Sequence, residues 1–338
     1  MPSVSSAELH RRPFGKTGIE IPALAFGAGP VSALMVGDCR DRQRAVVQHA
    51  LERGINWFDT AAGYGAGESE RNLGRALNEL GSASQVHVAS KVRLTDDNLR
   101  DIRGAVRRSL EASLELLRLP QLTLLQLHNS ITPERNDEPT SITPNDVLRD
   151  GGVLDALEDL RNEGLVLHLG LTGLGDPASL VEVIGSQRFA AMQTPYHLLN
   201  PSAGCDVATT AGDANYGNII AACARAGMGV LAIRVLAGGA LADNPPSEHT
   251  LKTPFFPLAL YERDREKARR LQQAIGAARQ LPAEAIRFAL AHPHIHSAII
   301  GFASAGQIDD AIEALNTEAP PLDWQDVLGA QSHTLSPG

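Results

Sequence analysis

Short apolar runs alternate with amphipathic stretches from about Ala23 to Leu315, the rhythm of repeated strand–helix units around a parallel sheet. The runs of strand length are Ala23–Gly27, Asn56–Asp59, Val86–Lys91, Leu122–His128, Leu167–Thr172, Ala190–Pro195, Gly229–Arg234 and Ser297–Gly301. The stretches between them carry helical spacing. After Lys91, the residues Leu99, Ile102, Val106, Leu110, Leu114 and Leu117 recur every three or four positions and share one helical face. Pro120 stands just past the expected end of that helix near Arg118. From Asp41 to Arg53 the expected inward face is Ala45, Val46, Ala50 and Leu51, with Gly54 placed to close the helix.

A right-handed chain of such units predicts an α/β fold, a (β/α)8 TIM barrel whose active site lies at the C-terminal ends of the strands. At 338 residues and 43% hydrophobic content the chain can bury one such core. One domain over 1–338 is expected, with a barrel core of about 20–316 and a C-terminal tail of about 317–338. The rival, an open doubly wound sheet, wants G-x-G-x-x-G between a strand and a helix. Gly63, Gly65 and Gly67 have the wrong spacing, and Gly27-Ala28-Gly29 runs into Pro30. Long loops at Asn129–Asp150, Leu198–Ala214 and Ala242–Tyr261 follow strands, so in a barrel they gather over the site and shape substrate choice.

Charge narrows the partners. With 39 acidic against 30 basic residues, net −9, and no long Lys/Arg run, no nucleic-acid partner is expected. No apolar run approaches the roughly 20 residues that cross a bilayer, so no membrane partner is expected either. The start MPSVSSAELHRRPFG lacks the apolar centre of a signal peptide, which points to a cytoplasmic protein, monomeric or homo-oligomeric. Cys39, Cys205 and Cys223 fit neither a disulfide framework nor a CxxC site and read as reduced, structural thiols. His292, His294 and His296 read as a turn entering a strand, and no metal is expected.

Polar residues gather at three consecutive strand ends. Asp59 closes the second run, Tyr64 follows in the next turn, Lys91 closes the third, and His128 ends an otherwise apolar fourth. A phenol that exchanges a proton near neutrality needs a neighbouring cation, because its ordinary value lies near about 10. Lys91 supplies that charge, Asp59 holds Lys91, and His128 orients a substrate oxygen. Taken singly, each residue has an ordinary structural explanation, such as a turn cap, a loop aromatic, a solvated strand end or a core histidine. Taken in order, they form one acid–base unit.

At these residues the chain resembles the aldo-keto reductase family. The stretch Gly54-Ile55-Asn56-Trp57-Phe58-Asp59-Thr60-Ala61, with Tyr64-Gly65 and Glu68-Ser69-Glu70, is similar to that family's signature. Val88-Ala89-Ser90-Lys91 and Leu127-His128-Asn129 supply its other catalytic positions, and Arg12–Gly18 is similar to the N-terminal β-hairpin that plugs the barrel floor. The resemblance implies Tyr64 as general acid or base, Lys91 and Asp59 as its tuning pair and His128 as substrate orienter. The form Gly170-Leu171-Thr172-Gly173-Leu174 is similar to the branch of L-galactose and related aldose dehydrogenases. The family also includes potassium-channel β subunits, in which the same fold senses cofactor for a partner protein, and broad NADPH-dependent aldehyde and ketone reductases.

The resemblance also implies a nicotinamide cofactor lying across the barrel mouth. Its expected contacts are Gly27, Gly29, Thr172, Gln193, the loop of Arg234, Val235, Leu236, Gly238, Gly239 and Leu241, and the segment of Gly301, Ala303, Ser304, Gln307 and Asp310. Gly238 and Gly239 let backbone amides approach a pyrophosphate. Arg234, where a small hydroxyl residue is usual, could meet phosphate, substrate or a structural carboxylate. Ala303 and Gln307 stand where NADP-binding members carry a basic side chain, and Asp309 and Asp310 follow, so NAD is favoured over NADP. The substrate is expected to be a small carbonyl or alcohol, sugar-like or secondary, met by Trp57, Tyr196, His197, Phe255 and Phe256. The Phe pair is either an apolar lid or a loop anchor.

Overall fold

The computed structural model describes residues 9–206 and 212–317. An antiparallel hairpin, β1 (Arg11–Pro13) and β2 (Glu20–Pro22), precedes a closed barrel of parallel strands. Those strands are β3 (Leu24–Gly27), β4 (Trp57–Asp59), β5 (His87–Val92), β6 (Leu122–Leu127), β7 (Val166–Thr172), β8 (Ala191–Pro195), β9 (Gly229–Ile233) and β10 (Ser297–Ile300). Neighbours follow chain order around the ring, and β10 closes on β3. The eight expected strands are therefore all present, within a residue or two at their ends.

The helices are α1 (Arg40–Glu52), α2 (Glu68–Glu79), α3 (Ile102–Leu117), α4 (Pro144–Leu148), α5 (Val153–Asn162), α6 (Pro177–Gly185), α7 (Ile219–Arg225), α8 (Leu258–Ile275), α9 (Leu281–Ala291) and α10 (Ala305–Asn316). In α3, Asp101 caps the start by accepting from the Gly104 amide, and Arg118 ends the helix in a left-handed conformation. Leu99, three residues before α3, sits in a separate 3-10 turn. In α1 the buried face is Gln43, Val46, Val47 and Ala50. Ala45, expected inward, is exposed. Gln43 replaces it because its amide donates to the carbonyls of Leu34 and Gly37, which satisfies a polar group inside the packing.

Two apolar layers meet at the barrel wall. Outward residues such as Phe26, Phe58, Val88, Leu125, Leu171 and Val230 pack under the helices. Inward residues Ala25, Trp57, Ala89, Leu124, Ala191 and Leu231 pack on Phe14 and Ile21 from the hairpin region and close the floor. Phe14 meets Trp57 edge-on, with centroids 5.2 Å apart. Gly229 makes room for this plug, because a Cβ there would stand 2.4 Å from the Phe14 ring.

The third expected long loop, 242–261, ends early, because α8 already begins at Leu258. The second, 198–214, includes 207–211, which lie outside the described residues, as does nearly all of the expected tail. His292, His294 and His296 lie in the turn leading into β10, and no metal-competent cluster occurs among the described residues. All three cysteines are free, but only Cys223 is buried and Cys39 is exposed, so a structural part for Cys39 is not what its setting shows. Among the described residues no helix is long and apolar enough to cross a membrane.

Candidate active site

The strand ends that sequence periodicity singled out converge at one end of the barrel. Lys91, buried within the barrel, uses all three ammonium protons. It donates to Asp59 Oδ1 at 2.5 Å, to the Thr60 carbonyl at 2.7 Å and to the Tyr64 hydroxyl at 3.3 Å. Burial alone would lower the Lys91 pKa, but the charges of Asp59 and Tyr64 outweigh it and the net shift is upward. The neighbouring oxygens thus favour the ammonium form of Lys91. The second Asp59 oxygen accepts from Gln126 at 3.3 Å and from Gln193.

Tyr64 stands in a 3-10 turn made possible by left-handed Gly65 and Ala66. Its ring lies beside Gly29 and meets His128 edge-on, 5.9 Å between centroids. The His128 pKa lies well below its ordinary value, first through burial and then through the charges of Lys91 and Arg93. His128 is thus a neutral imidazole, able to give one hydrogen bond without carrying charge. Behind this group, the signature residues Ser69 and Glu70 are buried supports. Ser69 donates to the Ala28 carbonyl at 2.7 Å, and Ser90 donates to Glu70.

Asp59, Tyr64, Lys91 and His128 open on a cavity of about 1370 Å³, which Gly29, Thr172, Gln193, Arg234, Val235, Leu236, Gly238, Gly239, Gly301, Ala303, Gln307, Asp310, Phe255 and Phe256 also line. The volume exceeds the range of about 300–1,000 Å³ typical of drug-sized ligands, which leaves room for a dinucleotide together with a small substrate. Two features fit a dinucleotide. The buried hydroxyl of Thr172 has no hydrogen-bond partner among the described residues, and Gly238 and Gly239 are both left-handed, at φ 70° and 107°. Adjacent left-handed glycines present amides to an anion in a form that L side chains resist. Arg234 stands over that strip, in a left-handed conformation of its own, with its guanidinium 3.8 Å from the Phe256 ring centroid. It forms no ion pair among the described residues, so the structural-carboxylate alternative is not realised.

Several expected contacts fall elsewhere, and two that do line the cavity, Gln193 and Gln307, have a side-chain atom already bonded within the protein. Trp57 is fully buried in the floor layer, one step below Asp59 on the same inward face, and does not reach the cavity. Tyr196 stacks on Phe288 of α9, centroids 5.1 Å apart, because the chain turns outward past β8. His197 is buried beside it, its pKa lowered to about 3, first by burial and then by Arg234. Gly27 abuts Ile299 and Ile300 of β10, and Leu241 packs in a satellite core with Tyr261 and Leu271. Ser304 caps α10 by accepting from the Gln307 amide, and the Gln307 side-chain oxygen is taken by the Ala303 amide. The Gln193 amide is likewise turned to Asp59.

The cavity also holds residues that sequence reading passed over. Arg93 stacks on Phe255, 4.2 Å from its centroid, and donates to the His128 carbonyl at 3.2 Å. Lys91 and Arg93 are two apart on one strand and extension, so period-two alternation carried the signal. At the far end, Arg279 and Arg287 both donate to Glu284, at 3.1 and 2.8 Å. No local pattern marked them, since they come from α9 and its approach.

This barrel, with a phenol, an ammonium, a carboxylate and an imidazole at its mouth, defines an oxidoreductase-type site. The profile of the Aldo/keto reductase family matches residues 35–330, and the chain belongs to that family. It is 26% identical to L-galactose dehydrogenase of Arabidopsis thaliana, over 97% of this chain and 93% of that one. It is also 26% identical to D-threo-aldose 1-dehydrogenase of a Pseudomonas species, over 93% and 95%. The holo form of aldo-keto reductase AKR11C1 from Bacillus halodurans shares the fold, with a TM-score of 0.69 at 20% identity over 96% of each chain.

Proposed function

We propose that this protein is a nicotinamide-dependent dehydrogenase of a sugar-like or secondary alcohol, with Tyr64 as its general acid and base. The observation that carries the reading is the three-way bond from Lys91 to Asp59, the Thr60 carbonyl and Tyr64 in a cavity large enough for cofactor and substrate together. When bound, nicotinamide accepts or returns the hydride. The chain's own residues handle the proton. In oxidation Tyr64 takes the alcohol proton as the carbon gives up hydride, and in reduction it returns that proton to the carbonyl oxygen. Lys91 favours the phenolate form, Asp59 keeps Lys91 charged and aimed, and neutral His128 donates to the substrate oxygen.

Thr172 and the glycine strip would hold the nicotinamide and diphosphate ends. The acidic lining of Glu284, Asp310 and Glu313 around the α9–α10 end supports NAD over NADP, since the two lining guanidiniums there, Arg279 and Arg287, are already held by Glu284. Relatives named for aldose substrates support a sugar-like alcohol. The experiment is steady-state turnover with NAD and NADP against aldoses, secondary alcohols and aldehydes. Aldose or secondary-alcohol oxidation with NAD is the expected result. Efficient NADPH-driven reduction of aldehydes, with negligible alcohol oxidation, would sink it.

A further inference from the structure

The lining charges divide into two sets. Around the α9–α10 end, Glu284, Asp310 and Glu313 accompany Arg279 and Arg287. Around the strand ends that carry Tyr64, the lining holds three cations, Lys91, Arg93 and Arg234, against the single carboxylate of Asp59. Asp59 is committed to Lys91. Two guanidiniums therefore face the cavity without an ion pair among the described residues, and only Arg234 has a buried carboxyl, Asp264, in its neighbourhood.

Each is braced by one member of the Phe255-Phe256 pair, Arg93 on Phe255 and Arg234 on Phe256. A planar guanidinium stacked on a ring keeps its edge N–H donors free for a bidentate oxyanion. The two are not equivalent. A Cβ on Gly238 would lie 3.4 Å from Arg234 Nη1, so Arg234 goes with the glycine strip at the diphosphate end. Arg93 bonds the His128 carbonyl and lies near the Tyr64 hydroxyl, at the reacting end.

We propose that the substrate carries an oxyanion, a carboxylate or a phosphate monoester, and that Arg93 braced on Phe255 is the residue that holds it beside Tyr64. The inference rests on reading the cavity as a hydride-transfer site. With no counterion among the described residues, the partly buried Arg93 guanidinium recovers only part of its lost hydration through the His128 carbonyl and Phe255, and an anionic ligand supplies the rest. A neutral sugar would leave that charge unmatched. Arg93 is here a specificity-determining residue, distinct from the proton-handling group.

The test compares substrate pairs that differ in charge: glucuronate against glucose, 4-carboxybenzaldehyde against 4-methylbenzaldehyde, and glyceraldehyde 3-phosphate against glyceraldehyde. The wild-type protein should favour the anionic member of the carboxylate pairs or of the phosphate pair, which also identifies the anion. In Arg93→Met the anionic-to-neutral ratio of kcat/KM should fall about 10–100-fold, the worth of a hydrogen bond to a charged group, with the loss mainly in KM. Arg93→Lys should recover part of it. No preference in the wild type, or an equal loss on both members in Arg93→Met, overturns the proposal. Calorimetric binding of benzoate and phenyl phosphate gives a readout free of turnover. If no alcohol or carbonyl turns over, the hydride-transfer reading fails, yet wild-type binding of either anion that weakens in Arg93→Met still supports the oxyanion site. No binding of either anion to the wild type removes it.

Discussion

The floor and the mouth of this barrel are built from the same strands, one pleat apart. On β4, Trp57 and Asp59 share the inward face, separated by about 7 Å of strand. On β5 the pair is Ala89 and Lys91, on β6 Leu124 and Gln126, and on β8 Ala191 and Gln193. The lower members join Phe14 in a dry layer. The upper members join one hydrogen-bonded network centred on Asp59. A single step along each strand thus separates the apolar group that fills the barrel floor from the polar group at the proposed reacting end. The floor gives the mouth a rigid base, so the charged groups above it are positioned without needing to supply the packing.

This division can be broken most sharply at Tyr64. Tyr64→Phe should lower kcat by about 10²–10⁴-fold, the range for loss of a general acid or base. Stability should fall by about 1–3 kcal/mol, since the buried Lys91 ammonium loses one hydrogen-bond acceptor. Rate measurements beside urea unfolding and a cofactor titration check this, and full activity would refute the assignment of Tyr64.

Trp57→Ala tests the floor in the opposite currency. It should cost about 3–5 kcal/mol of stability, as large core truncations do, while the folded fraction keeps the KM of the parent. Urea unfolding and steady-state kinetics separate the two effects. A variant of normal stability with a raised KM would return Trp57 to the substrate site.

The smallest effect sharpens the mouth's electrostatics. Asp264, buried near Arg234 but not bonded to it, has its pKa raised by burial from 3.8 to about 6. Between those two values the folded chain keeps a proton that the unfolded chain has lost, so this group's contribution to stability falls as pH rises through that window. Asp264→Asn should therefore be more stable than the parent at pH 8, by on the order of 3 kcal/mol, with the difference closing below about pH 4. Thermal unfolding across that range reads it, and a variant less stable at pH 8 would show that the carboxylate is compensated by Arg234.

Much of the molecule was legible in one dimension. Short apolar runs at strand length located all eight staves, and the polar residues that close three of those runs placed Asp59, Lys91 and His128 at their ends. Period-two alternation along β5 and its extension puts Arg93 on the face of Lys91, two positions on. Trp57 was misplaced for the complementary reason. Alternation fixes which face a residue takes and says nothing of its depth, which depends on the stagger of neighbouring strands and on the hairpin that brings Phe14 beneath it. Tyr196 and His197 follow β8 directly, yet the chain turns there and α9 supplies a stacking partner, Phe288. Ser304 and Gln307 had suitable chemistry but are used by their own backbone at the start of α10.

By itself, then, the sequence determined the parallel barrel, the order of its strands and the identity of the polar residues at their ends, because periodicity and strand length are local properties of the chain. The tertiary structure alone decided that Trp57 belongs to the floor, that Gln193 serves Asp59, and that Arg93 and Arg234 each rest on one phenylalanine from a loop more than a hundred and twenty and about twenty residues away, respectively. Those contacts join segments distant in sequence, and their partners are set by how the closed barrel brings the strand ends and loops together, which no local pattern encodes.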